Sequence, residues 1–268
     1  MRNVFRENSA KMIMAVCTVG LIIIFIIAYF YHNLGLFVVS VEPRLSHEGF
    51  IISSTEDFAS PRVKLFSDAL EDCNNISVNS IATDVDEHEG EHNGTNYIAY
   101  TFFLKNGGSK EMDYVYSLNI DNVTNNVDSA AWVMLITNGD MEVFAKQRND
   151  GTPERIYNYS GYPLVENMGS KGQVNVISDS YKGYITDKDL ENFRYLEKEG
   201  LYELATHPFE GEKTITKGTR LELKPGGVDK YTVVIWLEGD DPDCVDDIKE
   251  GTIGLGMTFT KVDKYEKD

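Results

Sequence analysis

Two rhythms of apolar residues divide this chain. From Met12 to Tyr31 the stretch MIMAVCTVGLIIIFIIAYFY runs for twenty residues without a charge. As a helix it rises about 30 Å, the hydrocarbon thickness of a bilayer. No face of it is polar, which argues against a buried core helix. Tyr29, Tyr31 and His32 fall where an interfacial aromatic belt would sit, and Arg2, Arg6 and Lys11 precede the segment. The positive-inside rule then puts residues 1–11 in the cytoplasm, a membrane helix over 12–31 and residues 32–268 outside. A cleaved signal peptide is the competing reading. Its apolar region is usually only about 7–15 residues long, although Val38 and Ser40 form a V-x-S site before Val41. The expectation is an uncleaved signal anchor.

Beyond the span the pattern is that of strands. Leu36–Val41 is a β-branched run stopped by Pro43, and Ile76–Ile81 and Tyr97–Leu104 have strand length. The latter ends at the turn Asn106-Gly107-Gly108, and Met112–Ile120 alternates. Ala131–Thr137 breaks at Asn138-Gly139, a strong hairpin signal, and Met141–Lys146 pairs back. Val174–Ile177, Leu221–Leu223, Tyr231–Leu237 and Ile253–Thr260 complete the set. Short strands at regular spacing with Gly, Asn and Asp turns predict a mainly β domain, an antiparallel β-sandwich of jelly-roll type. Two helical insertions are expected. One is Pro61–Leu70 with Ser60 as cap. The other lies around 187–204, where Leu190, Phe193, Leu196 and Leu201 have helical spacing behind Thr186.

Charge narrows the partners. Of 25 basic and 43 acidic residues, three basic and one acidic precede Met12, so the remainder carries about −20. Nothing resembles a basic stripe, which disfavours nucleic acid and adsorption to anionic lipid through this part. Partners are expected to be the membrane, through the N-terminal helix, and a surface or matrix protein, possibly a second copy of the chain. Cys17 lies in the apolar span, which leaves Cys73 and Cys244 as one potential bridge rather than a framework. Asn75, Asn93, Asn122 and Asn158 begin sequons that matter only in a glycosylating host.

Two stretches carry candidate chemistry. His88-Glu89-Gly90-Glu91-His92 matches H-E-x-x-H, in which two imidazoles on one helix face bind zinc and the glutamate activates water. Here a glycine interrupts the motif, Asn93-Gly94 follows it, carboxylates crowd Asp84 to Glu91, and Val85 alone is apolar nearby. The expectation is a solvated loop, with adventitious metal binding at His88 and His92 ahead of catalysis. In Glu238–Asp247, EGDDPDCVDD, the residues Asp240, Asp241, Asp243, Asp246 and Asp247 offer hard oxygens of the kind Ca2+ prefers. The spacing is not that of an EF-hand, and an acidic loop that caps the strand Tyr231–Leu237 and starts a turn is the favoured expectation, with calcium the ion to test. No other cofactor is implied. G-x-S-x-G, a P-loop and a Gly-rich nucleotide turn are missing from the sequence. Trp132, Trp236, Tyr114 and Tyr116 at alternating positions read as core rather than as a carbohydrate platform.

The stretch Val233–Phe259, VVIWLEGDDPDCVDDIKEGTIGLGMTF, resembles the closing block of membrane-anchored or secreted surface proteins of Gram-positive, clostridia-like Firmicutes. The segments YIAYTFFLKNGG, DYVYSLNI and AWVMLITNGDMEVFAKQRNDGTPE fit the same pattern. More distantly the chain is similar to the TasA/camelysin type of biofilm-matrix protein. The resemblance implies a non-enzymatic cell-surface sandwich engaged in adhesion, matrix or protein contacts, with self-assembly by strand donation as one route. An anchor would hold Leu36–Val41 and hinder such donation. Camelysin-like proteins are also classed as peptidases, so the resemblance keeps a metal-dependent peptidase using HEGEH as the alternative.

Overall fold

The computed structural model describes residues 16–23, 37–70, 72–148, 151, 154–157, 168–169, 173–174, 193–196 and 201–262. Two compact units are distinguished, Met1–Gly35 and Leu36–Asp268. In the first, residues 16–23 are helical, with Val16, Val19, Leu21, Ile22 and Ile23 exposed. The rest of the expected span Met12–Tyr31 lies outside the described residues. Among the described residues no helix is long and apolar enough to cross a membrane.

The second unit is built from strands, here numbered in chain order. They are β1 (Phe37–Val41), β2 (Phe50–Ser53), β3 (Lys64–Phe66), β4 (Gly90–Glu91), β5 (Tyr97–Asn106) and β6 (Met112–Val123). Next come β7 (Ala131–Thr137), β8 (Asp140–Ala145), β9 (Arg155–Tyr157), β10 (Met168–Gly169), β11 (Gln173–Val174) and β12 (Phe193–Leu196). The last are β13 (Leu201–Ala205), β14 (His207–Pro208), β15 (Thr214–Leu223), β16 (Val228–Leu237) and β17 (Ile253–Lys261). A short helix α1 (Pro43–His47) follows β1, with Pro43 in its first turn, where a missing N–H costs nothing.

Five strands form one sheet in the order β15-β6-β17-β1-β3, and β14-β8-β7-β16-β5-β2 form the other, with β4 pairing β5. Both are antiparallel except for β1 beside β17 and β14 beside β8. Alternation sets what each sheet turns inward. Phe37, Val39 and Val41 of β1, Tyr114, Leu118 and Ile120 of β6, and Leu255, Met257 and Phe259 of β17 meet Tyr100, Phe102, Leu104, Tyr231 and Val233 of the opposing sheet. Phe102 stacks on Tyr231 at 5.5 Å between ring centroids and meets Phe259 edge-on at 5.9 Å. The β7–β8 hairpin turns at Asn138-Gly139 with φ of 53° and 92°, the two positive angles that a twisted two-residue turn requires.

The seven-stranded sheet is buried on both faces, so β7 is apolar at nearly every position and not at alternate ones. Its outer face carries Trp132, Met134, Ile136, Met141, Val143, Val234 and Trp236. The long connection between β3 and β5 covers it, with Val78, Ile81 and Val85 pressed onto these side chains. Asp86 fixes this cover. Its carboxylate accepts from the Thr232 hydroxyl at 2.6 Å and lies 3.2 Å from the Lys230 ammonium, while Thr101 and Thr232 share a hydrogen bond at 2.7 Å.

Three expected elements differ, and a fourth is described only in part. Ile76–Ile81 is no strand: Ile76 makes an isolated bridge to Glu238, and Val78–Ser80 is a 3-10 turn whose start is capped by the Ser77 hydroxyl. Pro61–Leu70 forms no helix. Leu65 enters the core opposite Val39 and Arg62 bridges Ile52, so sheet pairing outweighs the helical spacing. Of the stretch 187–204 expected to be helical, the described residues 193–196 and 201–204 are strand, in the antiparallel pair β12–β13 with Phe193 in register with Leu204 and Tyr195 with Tyr202, and the others lie outside the described residues. Gly200 interrupts the helical pattern there, and aromatic cross-strand pairs favour a sheet. Of Val174–Ile177, Val174 lies in β11 and residues 175–177 fall outside the described residues.

Candidate functional site

The HEGEH stretch is largely exposed, with His88, Glu89 and Glu91 open to solvent, but Gly90–Glu91 within it form a short strand instead of loop. Residues Val85–Glu87 form a 3-10 turn, His88 is extended, and Gly90 with φ of 65° begins β4, which pairs with Thr101 and Tyr100. The two imidazoles are therefore not on one helix face. Their ring centroids lie 5.3 Å apart. His92 Nδ1 bonds to the Gly90 carbonyl at 2.9 Å, and His88 Nε2 lies 3.3 Å from an Asp84 carboxylate oxygen. Burial lowers the His92 pKa, partly offset by the Gly90 and Val85 carbonyls. Neither glutamate faces a metal position. Glu89 accepts from the backbone N–H of Glu56 at 3.2 Å, and Glu91 from that of Asp68 at 2.8 Å. Both carboxylates therefore stitch β4 to the β2–β3 region.

The acidic loop after β16 is built around the two tryptophans. Trp132 on β7 and Trp236 on β16 are register partners on the outer face, with ring centroids 6.1 Å apart. Each buried indole N–H needs an acceptor, and the loop supplies one to each. Trp236 Nε1 donates to Glu238 Oε2 at 2.9 Å, and Trp132 Nε1 donates to Asp241 Oδ2 at 2.7 Å. Glu238 also accepts from the backbone N–H groups of Val78 at 2.9 Å and Asp240 at 3.2 Å. Asp241 Oδ1 accepts from Asp243 N at 2.9 Å. Both carboxyl groups are almost fully buried, and burial raises both pKa values against the lowering effect of these hydrogen bonds.

Of the five aspartates proposed as calcium ligands, the fold gathers Asp241 and Asp243 with Glu154, their carboxylate oxygens all within 4.8 Å of one another. Among the described residues this is the group that could hold a metal ion, and Asp240, Asp246 and Asp247 are not members of it. Asp246 instead pairs with Lys249 at 2.8 Å. Glu154, separated from Asp241 by the whole of β9 to β16, carries no sequence signal that singles it out. It is held by Arg148 through two parallel bonds of 2.7 Å, a bidentate geometry that already neutralises it. Beside the group lies an open recess of about 430 Å³, lined by Asn125, Asn126, Lys146, Gln147, Asp243 and Asp247. Its amides, ammonium and carboxylates suit a small polar ligand or a hydrated cation, and the Ser129 hydroxyl in its lining donates to the Asn126 carbonyl at 2.8 Å.

The raised carboxyl pKa values give a pH signature. A folded pKa above the ordinary 4.5 of Glu238 and 3.8 of Asp241 means that the folded state binds protons more readily than the unfolded chain. Their contribution to stability is full below the unfolded pKa and is lost as pH rises through the folded one. The urea midpoint should rise on acidification from pH 7 into the range just above 4.5. His92, with its pKa lowered from 6.5, opposes this, because its contribution fades as pH falls through its folded value. The two tryptophans are the only ones in the chain and both touch these acids. Intrinsic fluorescence should therefore titrate with one component above 4.5, from Glu238, and another above 3.8, from Asp241; transitions at or below these ordinary values would contradict the burial described here.

No family model matches the chain, and no curated protein matches it. Among solved structures it is similar to a β-glucosidase from Kluyveromyces marxianus in complex with glucose, at 12% identity and a TM-score of 0.23. That match covers 80% of this chain and 16% of the enzyme, so the chain spans a small part of that enzyme's length. At this TM-score the likeness carries no argument about fold or activity.

Proposed function

We propose that this chain is a non-enzymatic, membrane-anchored surface protein whose jelly-roll-like sandwich serves adhesion, matrix or other protein contacts. Residues 12–31 act as its anchor, with the N-terminus inside and the sandwich outside the cell, as in the Gram-positive surface proteins that its closing block resembles. The observation that carries this reading is the use of HEGEH as a fastener. Glu89 accepts a backbone N–H of the β2–β3 connection, Glu91 accepts the N–H of Asp68 just after β3, and His92 Nδ1 holds Gly90, so the motif's chemical groups serve the fold. The two indole-bound acids support it as well, since Glu238 and Asp241 anchor tryptophans of the sheet.

Zinc analysis of the full-length chain, alongside hydrolysis of an unstructured peptide substrate, tests the reading. The expected result is less than stoichiometric zinc, no hydrolysis above the rate without protein, and no change in either for His92→Ala. That substitution should cost about 1–2 kcal/mol in stability through the lost hydrogen bond and packing. Stoichiometric zinc that disappears in His92→Ala, together with peptide cleavage, would overturn the proposal in favour of a metallopeptidase.

A further inference from the structure

We infer that Cys73 and Cys244 form a paired thiol site that closes an intramolecular disulfide when exposed to a small-molecule disulfide of the glutathione class. They are the two cysteines of the sandwich unit, the third being Cys17. Far apart in sequence, they are carried to one corner by segments that are bonded to each other. Ile76 N donates to Leu237 O at 2.9 Å and Gly239 N to Ile76 O at 2.9 Å, in the isolated parallel bridge of Ile76 with Glu238. Beside that bridge, the Asn75 amide donates to Cys244 Sγ at 3.3 Å. Cys73 stands two residues before Asn75, and two extended residues span at most about 7 Å. Its own thiol points to the Asn96 carbonyl at 3.2 Å. Both cysteines are half-buried, with residues 73–75 and 244–245 outside any strand or helix.

Closure asks for a rearrangement of segments that lie outside any strand or helix. The Asn75 amide leaves the Cys244 sulfur, Cys73 gives up a weak thiol bond to Asn96, and the irregular backbone brings the two Cα atoms into the 4.4–6.8 Å range of a disulfide. The chemistry is thiol–disulfide exchange. One protein thiolate attacks the glutathione disulfide, forming a mixed disulfide and releasing one glutathione thiolate. The second protein thiolate then attacks the protein sulfur of that bond and releases the other. The two protons of the protein thiols end on the two glutathiones, so atoms and electrons balance. The bond would staple the segment that covers the outer face of the seven-stranded sheet to the loop after β16, next to the contact of Glu238 with Val78 N.

The chemistry does not depend on location, but its occurrence in cells rests on the extracytoplasmic placement proposed above. The full-length chain, purified in detergent under reducing conditions, is exposed to oxidised glutathione, quenched with N-ethylmaleimide and mapped by mass spectrometry. A Cys73–Cys244 linked peptide pair from monomeric protein is expected, with a Tm roughly 5–10 °C above that of the reduced protein. Cys244→Ser should lose the linked pair and the Tm increment, while keeping the Tm of the reduced wild type within about 2 °C. Separate modification of Cys73 and Cys244, or cross-links between chains only, would overturn the pairing. Thiol trapping in intact cells separates the two ideas: a bridge that forms in the purified protein while both thiols stay free in cells retires the proposed location and leaves the pairing standing.

Discussion

Asp229→Ala is expected to lower the folding free energy by about 3–5 kcal/mol, read as a fall in urea midpoint at unchanged slope. Asp229 is 2% exposed and sits at the start of β16, where three groups converge on its carboxylate. The Tyr114 hydroxyl donates to it at 2.6 Å, the Asn138 amide at 2.8 Å and the Arg220 Nε at 3.3 Å. Tyr114 and Tyr231 share a further hydroxyl contact of 2.7 Å. Burial first, then the neighbouring phenol and carboxylate, push the Tyr114 pKa far up, so the phenol stays protonated and remains a donor. Tyr114 and Arg220 belong to the five-stranded sheet, while Asp229 belongs to the seven-stranded one and Asn138 to its β7–β8 turn. The carboxylate is thus a polar tie through the sandwich core, and alanine would leave its donors without an acceptor. Asp229→Asn keeps an acceptor and should cost less than half as much. Tyr114→Phe should cost about 1–2 kcal/mol, because Asp229 keeps Asn138 and Arg220. A loss below about 1 kcal/mol for Asp229→Ala would mean that water reaches these groups.

The strands with two covered faces and the strands with one were readable to different degrees. Ala131–Thr137 and the Asn138-Gly139 turn could be placed from sequence because local chemistry decides them. A continuous apolar run and a residue pair able to adopt positive φ need no tertiary information. Ile253–Lys261 and Tyr97–Asn106 were visible for the same reason, apart from a residue or two at the ends. The cover over the outer face was not. Ile76, Val78, Ile81 and Val85 follow neither a period of 2 nor one of 3.6, since each is placed by a gap between side chains of the sheet beneath. Phe193, Leu196 and Leu201 show the converse error. Their spacing is helical, yet cross-strand pairing of Phe193 with Leu204 and Tyr195 with Tyr202 wins.

Candidate chemistry was legible only as residue types. In HEGEH the letters match a zinc site, but the roles of Glu89 and Glu91 depend on backbone N–H groups 33 and 23 residues upstream. The acidic loop was read as a supply of oxygen ligands, and its aspartates as a group. The fold instead divides them, giving Asp241 to an indole and Asp246 to Lys249, and bringing in Glu154 from a distant segment. Tryptophans 132 and 236 were recognised as core, but that their N–H groups would claim two carboxylates follows only once both lie on one face of the sheet. A buried indole needs an acceptor, and the nearest flexible acids belong to the loop that leaves β16.

That dependence makes Trp132→Ala the second large effect, about 3–5 kcal/mol. The side chain is 1% exposed and packs against Trp236, Met134 and the covering segment. Alanine opens a cavity between the sheet and its cover and also strips Asp241 of its 2.7 Å donor. Asp241 lies beside the carboxylates of Glu154 and Asp243, both of which raise its pKa, while the indole hydrogen bond lowers it. Losing the indole therefore moves Asp241 further up and strengthens the gain in stability on acidification. Trp132→Phe separates the two contributions. It retains most of the ring, so the loss should be about 1–2 kcal/mol, assignable chiefly to the missing hydrogen bond. In that variant Trp236 is the remaining fluorophore, and its titration reports Glu238 alone. If Trp132→Ala lost no more than Trp132→Phe, the outer face would not be closed by its cover, and the tryptophans would be available to a partner instead.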